Sequence, residues 1–291
     1  MTEELDDRSP LRVEVLRERL VAQHRWAAVD VVDSTGSTNT DLAEAARRGA
    51  ADRTVLLAEE QTAGRGRQRR TWSSPRGAGL YLSVLLRPAG VPLSRWSWAP
   101  LLAGVVLAEV VQELTGVEAA VKWPNDLLAG PRRAKCAGIL AEAVATQSDP
   151  ALVIGVGVNV NHRAEELPVL PGGLPPTSLA IEARAAGGST SPVRRQDLAV
   201  EFLRHLATAE AEWRRLGGDP VRTGLRAAYR EVCATLGQRV RVVLPNDTVL
   251  VGVAEDVDSD GQLVVREDSG GVRTVSAGDV VHVRPEAASN R

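Results

Sequence analysis

Residues 61–72 read Gln-Thr-Ala-Gly-Arg-Gly-Arg-Gln-Arg-Arg-Thr-Trp, with Arg65, Arg67, Arg69 and Arg70 crowded together and Gly64 and Gly66 set beside the first two. An apolar run at 55–58 precedes this stretch and another at 80–86 follows it. Two strand-like runs flanking a polar, glycine-bearing segment predict strand, loop, strand. The glycines permit close backbone approach to a ligand, or a positive φ. Guanidinium forks match the oxygen geometry of phosphate and carboxylate. The segment therefore reads as a clamp for a small anion. A solvated basic loop and a nucleic-acid patch are the competing readings.

Bulk composition narrows these. The chain has 291 residues, 44% hydrophobic and 25% charged, which is a globular composition with enough length for two domains. A formal net charge of −2 argues against a general nucleic-acid coat, though not against a local basic patch. Cys136 and Cys233 lie far apart with no CxxC partner, so neither a disulfide framework nor a zinc site is expected, and a reducing cytoplasm is the simplest home. The acidic start MTEELDDRSP is unlike a signal peptide. No uninterrupted apolar run of about 18 residues predicts a membrane span. His24, His162, His205 and His282 are scattered without ligand spacing, which favours surface or core roles over metal binding.

Outward from the basic stretch, the N-terminal side offers a short helix over 11–24, with Leu11, Val15, Leu16 and Leu20 at helical spacing. The leader, 1–29, is too short for a winged helix, which needs roughly 60 residues built from several elements of ordinary length. A polar cluster, Ser37-Thr38-Asn39, sits between a short strand and a helix ending at Gly49. It can cap that helix, or present hydroxyl and amide groups to a polar ligand head at the helix N-terminus.

On the C-terminal side, 96–115 predicts a buried helix stopped by Gly116. The run 121–128 (VKWPNDLL) predicts one strand bent or bulged at Pro124. Residues 134–144 (AKCAGILAEAV) predict a buried strand with Lys135 at its mouth, and 152–160 (LVIGVGVNV) another. A lysine in that position either snorkels to solvent or meets an anion. Neither Gly64-Arg65-Gly66 nor Gly155-Val156-Gly157 completes a dinucleotide fingerprint, since Arg69 and Val160 stand at the third glycine position. Helices are expected over 178–186, 196–216 and 220–236. From 239 onward, five short valine-rich strands separated by turns predict an SH3-like β-module of about 50 residues.

No GxSxG, P-loop or HExxH motif occurs. What remains are cations (Arg65, Arg67, Arg70, Lys122, Lys135), a polar set (Ser37, Thr38, Asn39, Gln61), and Asn125, Asp126 and Asn159. Such a set suits reaction at a nucleotide phosphate, where positioning and charge neutralisation dominate. Asp126 with Asn159 can help place hydrated magnesium.

Taken together, the motifs resemble the biotin protein ligases. Gly36-Ser37-Thr38-Asn39, Glu60 to Arg67 ending in Trp72, Lys122-Trp123-Pro124-Asn125-Asp126, Lys135 in KCAGIL, Gly155 to Val160 and Thr177-Ser178-Leu179 follow that family's order. The resemblance implies an α+β fold. A mixed-sheet catalytic domain of the biotin/lipoate ligase type, like the class II aminoacyl-tRNA synthetases, would span 30–237, an SH3-like β-barrel 238–285 and a tail 286–291. It further implies formation of biotinyl-5′-AMP from biotin and ATP with magnesium, then transfer to a lysine of a biotin carboxyl carrier domain. By resemblance, Lys135, Arg65 and Asp126 are catalytic. Ser37, Thr38, Asn39, Gln61, Arg65, Gly66, Arg67 and Lys135 hold biotin. Arg67, Arg70, Trp72, Asn125, Lys135 and Asn159 hold ATP, and Asp126 is a magnesium candidate.

Arg69 stands where that family commonly has glycine, and Lys135 lies two residues further from Asp126 than in some members, a length the 130–133 turn can absorb. The short leader implies a ligase without repressor activity. The further expectations are a cytoplasmic setting, no binding to DNA or membrane, and a monomer or ligand-dependent homodimer. The alternatives are a lipoate–protein ligase and a non-enzymatic nucleic-acid-binding module. The Ser-Thr-Asn and Gln61 set and the C-terminal barrel favour biotin.

Overall fold

The computed structural model describes residues 8–67, 70–147, 149–168, 174–187, 193–244, 248–276 and 278–282. The Arg69 expectation and the tail 286–291 lie outside these residues. The chain begins with a short helix, α1 (Val13–Leu16), continued as a π-helical turn (Arg17–Val21). Then come β1 (Ala28–Val32), α2 (Thr38–Arg47), β2 (Thr54–Ala58), β3 (Gln61–Arg65), β4 (Thr71–Ser74) and β5 (Gly79–Leu86). The long helix α3 (Trp98–Thr115) leads to β6 (Ala119–Lys122), β7 (Asp126–Ala129), β8 (Ala134–Val144) and β9 (Ala151–Asn159). Helices α4 (Leu179–Ala185), α5 (Arg195–Arg215) and α6 (Leu225–Val232) precede a final run, β10 (Arg239–Val243), β11 (Val249–Val257), β12 (Leu263–Glu267), β13 (Val272–Val275) and β14 (Asp279–His282).

Seven strands form a mixed sheet in the order β1-β2-β5-β9-β8-β7-β6. Only β1 and β2 run parallel. Every residue of β5 is buried because the sheet is covered on both faces. Leu80, Leu82, Val84 and Leu86 join α3 and α5 in the main core, while Leu85 packs with Leu42 and Ala46 of α2 on the other side. A strand covered twice has no need of polar alternation, and its sequence, GLYLSVLL, shows almost none. Leu93–Thr115 is long and apolar enough to cross a bilayer by composition. Here its residues from Trp98 to Val111 are mostly buried in the protein core.

The last five strands make a second, wholly antiparallel sheet in the order β13-β12-β11-β10-β14. Its inward residues, among them Val240, Val242, Leu250, Val257, Leu263 and Val265, belong to the same continuous apolar cluster as α3. Polar ties reinforce that seam. Trp98 Nε1 donates to Ser259 O (2.9 Å), Trp123 Nε1 donates to Gly261 O (3.1 Å), and Arg226 meets Asp256 at 2.7 Å.

Several sequence expectations need correction. The basic stretch is a hairpin rather than a loop: β3 and β4 pair antiparallel, Gly64 opposite Trp72 and Arg65 opposite Thr71. Their strand character comes from mutual hydrogen bonding rather than burial, so no apolar alternation announces it. Residues 121–128 are two strands, not one bent strand, with Lys122 opposite Asp126 across a turn that contains Pro124. Apolar residues on both arms disguise the reversal. The last helix is shorter than 220–236, because Asp219 caps a turn over 219–223 and Gly224, at φ 73°, starts α6. The leader is helical only to residue 21, and by residue 28 the chain is already in the sheet.

One buried ion pair ties the N-terminal segment to the rest. Glu59 (5% exposed) and Arg195 (2% exposed) meet at 2.7 Å, and Glu59 also accepts the Leu11 N–H. Arg195 donates further to Ser9 O and Gly79 O. Removing one partner strands the other charge in the core. Glu59→Ala is therefore expected to cost about 3–5 kcal/mol of stability in urea unfolding, and a loss below about 1 kcal/mol would show that Arg195 is not held as a buried charge.

Candidate active site

A cleft of about 1130 Å³ opens between the seven-stranded sheet, the β3–β4 hairpin and the edge of the five-stranded sheet. Its floor is made by absent side chains. Gly138 pairs with Gly157 across β8 and β9, and Gly155 lies on the same face as Gly157, two residues away. A Cβ on Gly155 would sit 2.1 Å from Asn39 Oδ1, and one on Gly157 would sit 2.8 Å from the Trp72 ring. These glycines, which complete no dinucleotide fingerprint, make room for Asn39 and Trp72 on the sheet.

At the closed end, Ser37, Thr38 and Asn39 are all at least 95% buried. Ser37 occupies the N-cap position of α2 but makes no side-chain cap bond. Gln61 does that work from β3, its Oε1 accepting the Thr38 N–H (2.9 Å) and hydroxyl (3.2 Å). Thr38 Oγ1 also lies 2.7 Å from Ser83 Oγ, Ser83 donates to Asn39 Oδ1 (2.7 Å), and Asn39 Nδ2 donates to Leu140 O and Glu142 Oε2. A buried, connected polar chain of this kind is suited to a neutral ligand rich in donors and acceptors. Ser37 is thus the N-cap by position, as the capping reading expects, but the side chain that caps the helix is that of Gln61.

Further along the cleft the character turns cationic. Arg65, Arg67, Arg70, Lys122, Arg132, Arg133 and Lys135 line it, against Asp126 as the sole carboxylate among the described lining residues. Lys135 Nζ is 2.6 Å from Asp126 Oδ1, and Lys122 Nζ is 3.9 Å from Oδ2. Burial pulls the Lys122 ammonium below the usual lysine range. Asp126 opposes the fall, while Lys135, Arg70 and Arg67 deepen it. Burial likewise lowers the Arg67 guanidinium, with Asp126 opposing and Arg70 adding. Arg67 reaches across to the five-stranded sheet, donating to Gly278 O at 3.4 Å. Trp72 rests over Gly138 and Gly157, with Lys135 Nζ 5.7 Å from its ring centroid.

Every residue that the resemblance assigns to biotin, ATP, magnesium or catalysis lines this one cleft, Gly66, Asn125 and Asn159 included. Two of the carboxamides are also occupied structurally. Asn125 Nδ2 donates to Ile139 O, and Asn159 Nδ2 donates to Thr177 O. Sequence reasoning missed Ser83, Glu142, Gln238, Arg132, Arg133, His162 and His282. Ser83 and Glu142 sit in strands with no local signal, and the C-terminal residues arrive only through the packing of the second sheet. Both histidines border the site, His162 buried and His282 half-buried. Burial holds each near a pKa of about 4, opposed by Glu166 for His162 and reinforced by Lys122 and Arg133 for His282. Among the described residues, no three His, Cys, Asp or Glu side chains gather as a metal site.

Residues 31–159 match the biotin/lipoate A/B protein ligase family, and residues 235–283 match the biotin protein ligase C-terminal domain. The chain is 42% identical over 284 residues to a biotin–[acetyl-CoA-carboxylase] ligase of Mycobacterium tuberculosis, covering 95% of this chain and 97% of that one. It is 32% identical over 243 residues to the bifunctional ligase/repressor of Escherichia coli, covering 83% and 69%. The biotin protein ligase of Aquifex aeolicus, solved with biotin and ATP, has the same fold (TM-score 0.69, 23% identity, 89% of this chain and 99% of that one). The Leishmania major ligase solved with biotin is more distant in shape (TM-score 0.57, 26% identity, 86% and 98%).

The buried His162 gives a signed pH dependence. Its folded pKa, about 4, lies below the 6.5 of the free side chain, so the unfolded chain binds a proton that the folded chain refuses. Its contribution to stability is present above pH 6.5 and is lost as pH falls toward 4. The stability advantage of wild type over His162→Gln is expected to be about 2 kcal/mol smaller at pH 5 than at pH 7, measured by urea unfolding. An advantage unchanged between the two would show that His162 is not held neutral.

Proposed function

Since the chain belongs to the biotin protein ligase family, we propose how its cleft carries out ATP-dependent biotinylation. The observation that carries the account is a cleft with a buried hydrogen-bonding end and, among the described lining residues, seven cations facing one carboxylate. The neutral ureido head of biotin goes to the buried end, against Ser37, Thr38, Asn39 and Gln61. Its carboxylate then points toward Lys135 and Arg65, where ATP presents its α-phosphate. The adenine stacks on Trp72, and Arg67, Arg70, Asn125 and Asn159 border the nucleotide.

Two anions do not approach each other unaided. Lys135 leaves Asp126 to lie between carboxylate and phosphate, neutralising both. A carboxylate oxygen then bonds to the α-phosphorus, the bond from that phosphorus to the bridging oxygen breaks, and pyrophosphate leaves with the electron pair. In the second step the neutral amine of the carrier's lysine attacks the acyl carbon, and AMP leaves with the electrons of the broken C–O bond. A free lysine amine has a pKa near 10.4, but Lys135 and Arg65, placed at the acyl group, disfavour its charged form. Asp126, freed from Lys135, orients that amine and draws off its proton. The hairpin carrying Gly66 and Arg67 shields the anhydride from water.

Magnesium fits as part of the incoming MgATP rather than as a resident ion, because both oxygens of Asp126 already face ammonium groups. We further propose a cytoplasmic setting, consistent with two buried free thiols, and action without DNA binding.

The test mixes protein, biotin, MgATP and a carrier domain, and weighs the carrier. The expected result is a gain of one biotinyl group that depends on ATP, with no gain when lipoate replaces biotin. Lipoylation without biotinylation would reverse the substrate assignment, and no modification of any kind would end the ligase account.

A further inference from the structure

The turn between β7 and β8 carries two arginines that the account above leaves unused. Its position is fixed. Gly130 has φ 70° and is packed so closely on Glu182 that a Cβ would lie 1.8 Å from the carboxylate oxygen. Glu182 is itself 2% exposed and holds the Thr177 hydroxyl at 2.6 Å. Arg133 closes the turn by donating its N–H to Gly130 O (2.9 Å) and takes φ 49°, a left-handed conformation that an L side chain adopts at a cost. Arg132 and Arg133 both line the cleft.

Neither guanidinium makes a hydrogen bond or ion pair to any described residue, unlike those of many arginines elsewhere in the chain. Arg53 meets Glu210, Arg214 meets Asp52, Arg239 meets Asp268 and Arg266 meets Glu255. The one carboxylate among the described residues lining the cleft, Asp126, is already shared by Lys135 and Lys122. Arg133 and Lys122 also both act on His282, the ring that β14 contributes to the opposite wall, so the two cations border the same volume.

On the ligase reading given above, we propose that Arg132 and Arg133, beside Lys122, form the seat of the β- and γ-phosphates of ATP. They act on the pyrophosphate leaving group and not on the transfer to lysine. When the bridging bond to the α-phosphorus breaks, its electron pair settles on pyrophosphate. The fixed turn keeps two exposed, unpaired guanidinium forks at the cleft, free to close on that charge. Acidic side chains flanking the carrier's lysine are the other anions that could reach this rim, and the two occupants act in different half-reactions.

The experiment uses the full chain carrying Arg132→Gln and Arg133→Gly together. Glycine suits the left-handed position, so the turn is not strained by the change. Biotin binding alone reports that the site is intact. Inhibition of biotinyl-AMP formation by added pyrophosphate is expected to weaken by about tenfold or more, and the KM for MgATP to rise in step. Single-turnover transfer from preformed biotinyl-AMP to the carrier domain is expected to stay within about twofold of wild type. Restoring charge as Arg132→Lys and Arg133→Lys should recover part of the pyrophosphate sensitivity.

Unchanged pyrophosphate inhibition overturns the assignment. So does slowed transfer with unchanged inhibition, which would place the carrier's acidic residues here instead. Wild-type protein that forms no biotinyl-AMP at all would instead sink the ligase reading, so the two failures are distinguishable.

Discussion

Like charges crowded into a poorly screened cleft repel one another, and the rest of the molecule is arranged to hold them there. Two unit charges about 8 Å apart at an effective dielectric near 20 repel by about 2 kcal/mol. Among the described lining residues, seven cations with a single carboxylate between them add up many such terms, and Asp126 can offset only its nearest neighbours. Burial does most to lower the Lys122 ammonium, and Lys135, Arg70 and Arg67 add to the fall. The site is thus short of negative charge until ligands supply it, which favours a carboxylate and a polyphosphate arriving together over either alone.

The scaffold that resists this repulsion is the doubly covered sheet. Lys135 and the glycine floor sit on β8 and β9, which pair residue for residue from Ala137 opposite Val158 to Val144 opposite Ala151. The second sheet takes part in the cleft as well as in the core. Trp123, beside the Lys122–Asp126 turn, donates its backbone N–H to Thr235 Oγ1, which lies 3.2 Å from His282 Nε2, and its indole N–H to Gly261 O. Arg67 makes a second tie from the hairpin to Gly278. A change in the nucleotide end of the cleft is therefore mechanically linked to the C-terminal strands.

Much of this was legible in the sequence, for identifiable reasons. Continuous apolar runs marked β5, β8, β9 and α3, because elements buried on two sides need little polar patterning. The five C-terminal strands showed themselves through valine-rich segments and turn residues. The site residues were legible as motif pieces, and folding brings them to one cleft. What could not be read was pairing. β3 and β4 are strands only because each hydrogen-bonds the other, and VKWPNDLL conceals a reversal. Ser83, Glu142 and His282 carry no local sign of their place, since strand register and sheet docking alone bring them to Asn39 and Lys122. Arg132 and Arg133 look like ordinary surface charges until the packing of Gly130 on Glu182 fixes where their turn lies.

The central claim is that Lys135, together with arginines from a separate hairpin, brings biotin's carboxylate against the α-phosphate of ATP. Pyrophosphate–ATP isotope exchange reports that single event without any carrier present. Exchange should require biotin in the wild-type protein, and should fall by about two to three orders of magnitude in Lys135→Ala while biotin still binds. Exchange that proceeds equally without biotin, or survives the loss of Lys135 at near wild-type rate, would contradict the account.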